Sequence, residues 1–198
     1  MLLEPIFSPD SPCSRPSVSG YCERVKVMVT PKRFEHILRV TELTDTVARA
    51  NNFGRGEHRA AVLAAVLHDA ARDLSAEELF ELAPPETELE RNHPLAVHGR
   101  AGRKLAERWG VSDERVLDAI EGHVFGVAIH NRPGMAVYVA DVSEPGRGVN
   151  DDIRDLAMTS LFRAYQRAVN AKVDYLRTKG KPVHPATLHV YRELCELT

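Results

Sequence analysis

The chain has 198 residues, 43% of them hydrophobic, which suffices for one domain with a substantial core and is too short for two ordinary ones. Twenty-six Lys and Arg oppose 28 Asp and Glu, so the formal net charge of −2 excludes a general nucleic-acid coat or a polybasic membrane surface, though not a local basic pocket. No apolar run approaches the roughly 18–20 residues of a membrane span. No secretory leader opens the chain, and three scattered cysteines, Cys13, Cys22 and Cys195, fit a reducing cytoplasm.

Residues 1–20 contain four prolines and five serines and read as a flexible tail. In 21–29, Val25, Val27 and Val29 alternate, but one short strand without a partner is unstable. Residues 1–29 are therefore expected to form a flexible extension, and an over-extended translation start would leave the same mark. From Thr30 onward the spacing is helical. Thr30-Pro31 caps a helix whose Phe34, Ile37, Leu38, Leu43 and Val47 share a face to about residue 51. Residues 57–73 include AAVLAAVL (60–67), apolar nearly all round, which predicts a helix at the centre of a bundle. Ser75 and Glu78 form a capping box for a short helix that Pro84-Pro85 ends. Further helices are expected over 94–109, from Ser112 to about His123, over 135–143, over 151–179 with a break near 157, and from Pro185 onward. No strong strand appears. The predicted fold is all-α, a single bundle of about seven to nine helices over 30–198.

Nine histidines are unusual in such a chain, and histidine is the commonest metal ligand. His36 lies in line with Val40, Leu43 and Val47, and His98 with Ala101, Gly102 and Leu105. His123 follows Val116 and Ile120, and His68-Asp69 follows the apolar run. Asp141 interrupts an apolar turn. A buried Asp69 needs a cationic partner, and Arg72 would serve in a plain salt bridge. Each of the six residues alone reads as a satisfied core group. Together, on five successive helices, they are explained by a common cation at the centre of the bundle. Imidazole and carboxylate donors without cysteine suit Fe, Mn or Zn better than Ca or Mg. His58 and His189 read as surface or packing residues, His130 as a loop residue and His93 as a helix cap.

The stretches RFEHILRV (33–40), AAVLHDAARDL (64–74), VHGRAG (97–102), AIEGHVFG (119–126), YVADVSEPGR (138–147) and KGKPVHPATL (179–188) resemble the HD-domain superfamily of metal phosphohydrolases, and within it the YqeK-type family. That resemblance covers about residues 30–195. It implies symmetrical hydrolysis of diadenosine tetraphosphate to ADP. It also implies two divalent or mixed-valence metal ions, iron with manganese as the alternative, held by His36, His68, Asp69, His98, His123 and Asp141 with Asp69 as the bridge. The family's usual HDxxKD reads HDAARD here, so Arg72 replaces a lysine and can clamp a phosphate without serving as a proton donor. Asp73 would order the attacking water, and Arg147 and His184 would contact phosphate, with helix capping an equal alternative for His184. No phosphate-binding glycine loop is present. The expected partner is a small nucleotide, with no nucleic acid or membrane involved, in a cytoplasmic protein that could form a homodimer. An HD phosphohydrolase for another nucleotide and a weakly active nucleotide-binding regulatory module are the competing readings.

Overall fold

A computed structural model describes Pro12 and residues 16–197, and the remaining terminal positions lie outside the described residues. Eleven α-helices follow one another among the described residues: α1 (Pro16–Met28), α2 (Pro31–Ala50), α3 (Arg55–Leu67), α4 (Ala76–Leu82), α5 (Glu88–Asn92), α6 (His98–Arg108), α7 (Glu114–Gly122), α8 (Arg132–Ser143), α9 (Asp151–Ala157), α10 (Leu161–Thr178) and α11 (Pro185–Glu196). Short 3-10 turns at Pro94–Val97 and Pro145–Arg147 precede α6 and follow α8. The all-α expectation holds. The helix count exceeds it because α1 lies in the stretch that composition reads as a tail and the five-residue α5 is too short for a periodic signal.

The core forms around α8, which packs against α2, α3, α7, α9 and α10. From Met135 to Ala140 every residue of α8 is buried, as are Ala60, Ala61, Val62, Ala64, Ala65, Val66 and Leu67 of α3. A helix buried all round has no amphipathic face, so sequence periodicity does not reveal how it is oriented. The break in the 151–179 segment has a specific cause. Asn51, at the end of α2, donates from Nδ2 to the Ala157 carbonyl (2.7 Å) and accepts the Leu161 N–H at Oδ1 (3.0 Å). One side chain thereby satisfies the end of α9 and the start of α10.

Three expectations need correction. Residues 16–29 are not a loose extension: Val18, Cys22, Val25 and Val29 are buried at spacings of four, three and four, a helical stripe. The apparent alternation misled because Val27 is 83% exposed. The helix expected over 57–73 stops at Leu67, and His68 to Leu74 continue in tight turns, with Arg72 N–H donating to the Asp69 carbonyl (3.0 Å). Asp113, not Ser112, caps α7.

Because Val25 is fully buried beneath α1, Val25→Ala is expected to lower the unfolding free energy by about 2 kcal/mol. Denaturant titration checks this, and a loss under about 0.5 kcal/mol would mean that α1 rests only loosely on the bundle.

Candidate metal centre

Four imidazoles and two carboxylates meet where α2, α3, α6, α7 and α8 converge. Three of the rings are held in one way. The Nδ1 atoms of His68, His98 and His123 lie 2.7, 2.5 and 2.6 Å from the carbonyl oxygens of Ala65, Leu95 and Ile120. Each acceptor is three residues earlier, where a helical turn or a helix end leaves a carbonyl within reach. The fourth ring, His36, places Nδ1 3.0 Å from Glu144 Oε1. Carbonyl and carboxylate oxygens only accept, so every Nδ1 carries a proton, and in the neutral ring Nε2 presents a lone pair inward.

Among the described residues those lone pairs meet no donor. His36 Nε2 lies 3.0 Å from Asp141 Oδ1, and His98 Nε2 lies 2.9 Å from His123 Nε2. Both are acceptor-on-acceptor contacts for neutral rings. His36 Nε2 and His68 Nε2 are buried without a hydrogen-bond partner. A cation resolves each of these conflicts, so the donor set fits metal ions. The donors sort into two triads, His36–His68–Asp141 and Asp69–His98–His123. Asp69 belongs to both halves: Oδ2 is 3.7 and 3.5 Å from His36 and His68 Nε2, and Oδ1 is 3.2 and 3.5 Å from His98 and His123 Nε2.

The electrostatics follow from burial and pairing. Burial alone would raise the pKa of Asp69, but the imidazoles of His68, His123 and His98 crowded around it hold it well below the usual carboxylate range. Asp141 is held low in the same manner, with burial outweighed by His36, His68 and Arg147. Burial pushes His123 down to about 4, which keeps that ring neutral and able to ligate. For His68, burial is outweighed by Asp69 beside it, and its pKa rises.

A close approach of two helices sets the His98–His123 pair. A Cβ built on Gly99 would lie 2.4 Å from the Glu121 carbonyl oxygen of α7. Gly102, one turn on, faces Ile120 and the His68 carbonyl at 3.1 and 3.6 Å. The spacing HGRAG thus lets α6 lie against the backbone of α7 and brings the two rings together.

Surrounding cations make a basic cleft of about 460 Å³ against the His36 side, lined by Lys32, Arg33, Arg39 and Arg147 with Thr30, Asp73 and Val149. Arg33 Nη1, not Arg72, meets Asp69 Oδ2, at 2.9 Å. Arg39 Nε donates to Glu144 Oε2 (2.7 Å), fixing the carboxylate that orients His36. Arg147 grips Asp141 through both its carboxylate and its carbonyl oxygen. Arg72 and Lys32 make no side-chain ion pair among the described residues. Asp73 is used structurally: its Oδ2 accepts from the Thr30 N–H (2.8 Å) and hydroxyl (2.9 Å), tying down the start of α2 at the cleft. His184 caps α11, accepting the Ala186 N–H at Nδ1 (3.2 Å), and stacks on Phe125 with centroids 3.7 Å apart. Its Nε2 faces Glu90 Oε1 at 3.4 Å, while Glu90 Oε2 accepts from Arg100 (2.9 Å). Arg33, Arg39 and Glu144 join the site beyond the residues that the sequence singles out. Arg33, His36 and Arg39 stand three residues apart on α2, a visible signal. Glu144 lies within the EPGR stretch.

A helical bundle that centres imidazole and carboxylate triads under a basic cleft defines a metal-dependent phosphohydrolase scaffold. The model of the HD domain matches residues 33–146, enclosing all six donors, and the chain belongs to this family. It is 34% identical over 182 residues to a symmetrical bis(5'-nucleosyl)-tetraphosphatase of Bacillus subtilis, covering 86% of this chain and 93% of that one. A protein of the same name from Staphylococcus aureus is 30% identical over 174 residues, with 82% and 87% covered. Among solved structures, a predicted HD superfamily hydrolase involved in NAD metabolism from Clostridium acetobutylicum superposes with a TM-score of 0.80 at 26% identity, covering 91% of this chain and 97% of that one.

Glu144→Gln removes the charge that locks His36 Nδ1 and is expected to weaken metal binding about 10- to 100-fold while leaving the helical content intact. Calorimetric titration of the apoprotein with manganese, beside circular dichroism, checks both.

Proposed function

We propose that this chain hydrolyses diadenosine tetraphosphate symmetrically, giving two molecules of ADP. The observation that carries the reading is the set of four inward Nε2 lone pairs, each fixed by its Nδ1 partner, beside a cleft lined by Lys32, Arg33, Arg39 and Arg147. The names of the Bacillus and Staphylococcus relatives supply the substrate. His36, His68 and Asp141 would hold one metal ion and Asp69, His98 and His123 a second. Iron is the proposed metal, with manganese the alternative. When bound, such a pair supplies Lewis acidity toward phosphate oxygens and acidifies water.

The chain's own groups do the rest. Lys32, Arg33 and Arg147 face the polyphosphate from the cleft, where their charge offsets that spread over phosphate oxygens in the transition state. Arg72, which makes no ion pair among the described residues, is the further cation offered to phosphate. Arg39 and Glu144 keep His36 in one tautomer. Asp73 positions α2, and with it His36, Arg33 and Arg39, so its influence on the reaction runs through Thr30. His184 acts in the same indirect way, by joining α11 to Glu90. We further propose that residues 30–198 form the hydrolase domain with α1 added to it, and that the protein works in the cytoplasm, as a monomer or homodimer, on a small nucleotide. Among the described residues no helix is long and apolar enough to cross a membrane.

The test is a chromatogram of the early products from protein loaded with iron under anaerobic conditions. ADP alone is expected. A sustained equal yield of AMP and ATP would overturn the symmetrical cut, and cleavage of a mononucleotide in preference would overturn the substrate.

Arg72 gives a second expectation. Arg72→Lys should retain most of the turnover, whereas Arg72→Ala should lose about 10²-fold or more, the scale of one lost donor to developing charge, about 2.7–4 kcal/mol. Steady-state kinetics of the two variants decide it, and alanine matching wild type would remove Arg72 from the site.

A further inference from the structure

Lys172 takes no part in the site described so far, yet it is set beside it. It projects from α10 and donates from Nζ to the carbonyl of Val124, the residue after His123. Its ammonium lies 5.5 Å from the ring centroid of Tyr138 and 6.0 Å from that of Phe125. Among the described residues no carboxylate lies within ion-pair reach of it, and burial pushes its pKa down to about 8 against the pull of Asp141. An enclosed ammonium without a counter-charge costs several kcal/mol. Two ring faces return at most about 2 kcal/mol each, and one carbonyl satisfies only one of its three N–H groups.

Tyr138 has the complementary deficit. It is 1% exposed, one turn before Asp141 on α8, and its hydroxyl has no hydrogen-bond partner among the described residues. Its edge-on neighbour Tyr165, 5.2 Å away, shows the usual solution: that hydroxyl donates to the Val127 carbonyl and accepts the Val127 N–H, both at 2.7 Å. A buried hydroxyl without an acceptor and an ammonium with only one of its three N–H groups satisfied therefore lie near one another, beside the turn after His123. An anionic oxygen satisfies both. Val124 and Phe125 are only partly buried, so that turn is open to solvent.

We propose that Lys172 Nζ and Tyr138 Oη form an inner anion site that takes a phosphate oxygen of the substrate or of its product. The basic cleft is lined by residues of α2 and of the turn after α8, and this site lies where α10 meets α8. The polyphosphate chain would then be held on both sides of the scissile bond. This inference rests on the polyphosphate reading above, which it deepens.

The experiment titrates ADP into metal-loaded wild type, Lys172→Met and Tyr138→Phe by calorimetry, with the thermal midpoint of each ligand-free protein measured alongside. Both variants should weaken ADP at least about tenfold, and both should melt no lower than wild type, because each removes an unsatisfied buried group. Turnover of diadenosine tetraphosphate should show a raised KM for both. Unchanged ADP affinity in Tyr138→Phe, or a destabilised Lys172→Met that binds ADP normally, would overturn the anion site and leave Lys172 a packing residue. Wild type that cleaves no diadenosine tetraphosphate while ADP binding still depends on Lys172 would overturn the proposed substrate and support the anion site. Symmetrical cleavage with unchanged KM in both variants would do the reverse.

Discussion

The structure depends on one constraint: four imidazoles must keep their Nε2 lone pairs pointed at one another inside an apolar bundle. Left alone, the rings would turn to find donors, and the pair of His98 and His123, 2.9 Å apart, would separate. Each ring is prevented from turning at its other nitrogen. Three Nδ1–H groups donate to carbonyls of the preceding turn and one to Glu144. These anchors are backbone or buried groups, so the orientation is built in when the helices form. The cost of facing acceptors together is carried by the fold and is relieved by a cation.

That constraint explains why the helices carrying the donors approach so closely. Three of the six donor residues stand on α2, α6 and α8 and the other three on the turns that end α3 and α7, and each must reach the same few ångströms. At α6 and α7 this requires Gly99, where any Cβ would collide with a backbone oxygen. At α8 it requires a helix of small and medium apolar residues that neighbours can surround, with Asp141 at its end. At α2 it requires a fixed starting point, which Asp73 supplies from the segment just after the central aspartate. Asp69 and Asp73 thus share a short stretch of chain in which one meets the rings and the other holds the helix that bears His36.

Most of the donor set was legible because imidazole and carboxylate at inward helical positions conflict with an apolar core, and six such conflicts have one common solution. The tight turns of HDAARD were less legible. An α-helix and a run of three-residue turns differ little in residue preference, so the spacing extends α3 past Leu67 and offers Arg72 as a salt-bridge partner for Asp69, where Arg33 holds that place. Helix α1 was missed because its apolar stripe of Val18, Cys22, Val25 and Val29 is narrow and the serine- and proline-rich composition around it reads as tail. The ties of Asn51, Asp73 and His184 join residues 43 to 110 positions apart or stack on a distant ring, and nothing local in the sequence announces such partners.

Charge is distributed to match. The chain as a whole is nearly neutral, at −2, yet four of its cations line one cleft and a fifth, Lys172, is enclosed behind Asp141. Three of the four cleft cations meet a carboxylate, Arg33 with Asp69, Arg39 with Glu144 and Arg147 with Asp141, but each of those carboxylates is shared with the imidazoles, and Lys32 has no ion pair among the described residues. Local positive potential therefore survives in a protein with no excess of basic residues. A chain of phosphates is the kind of ligand that such an arrangement distinguishes. It offers several charges in a row, so its affinity grows with the number of cations it can reach, and a monoester that spans one flank of α8 gains less than a chain that spans both.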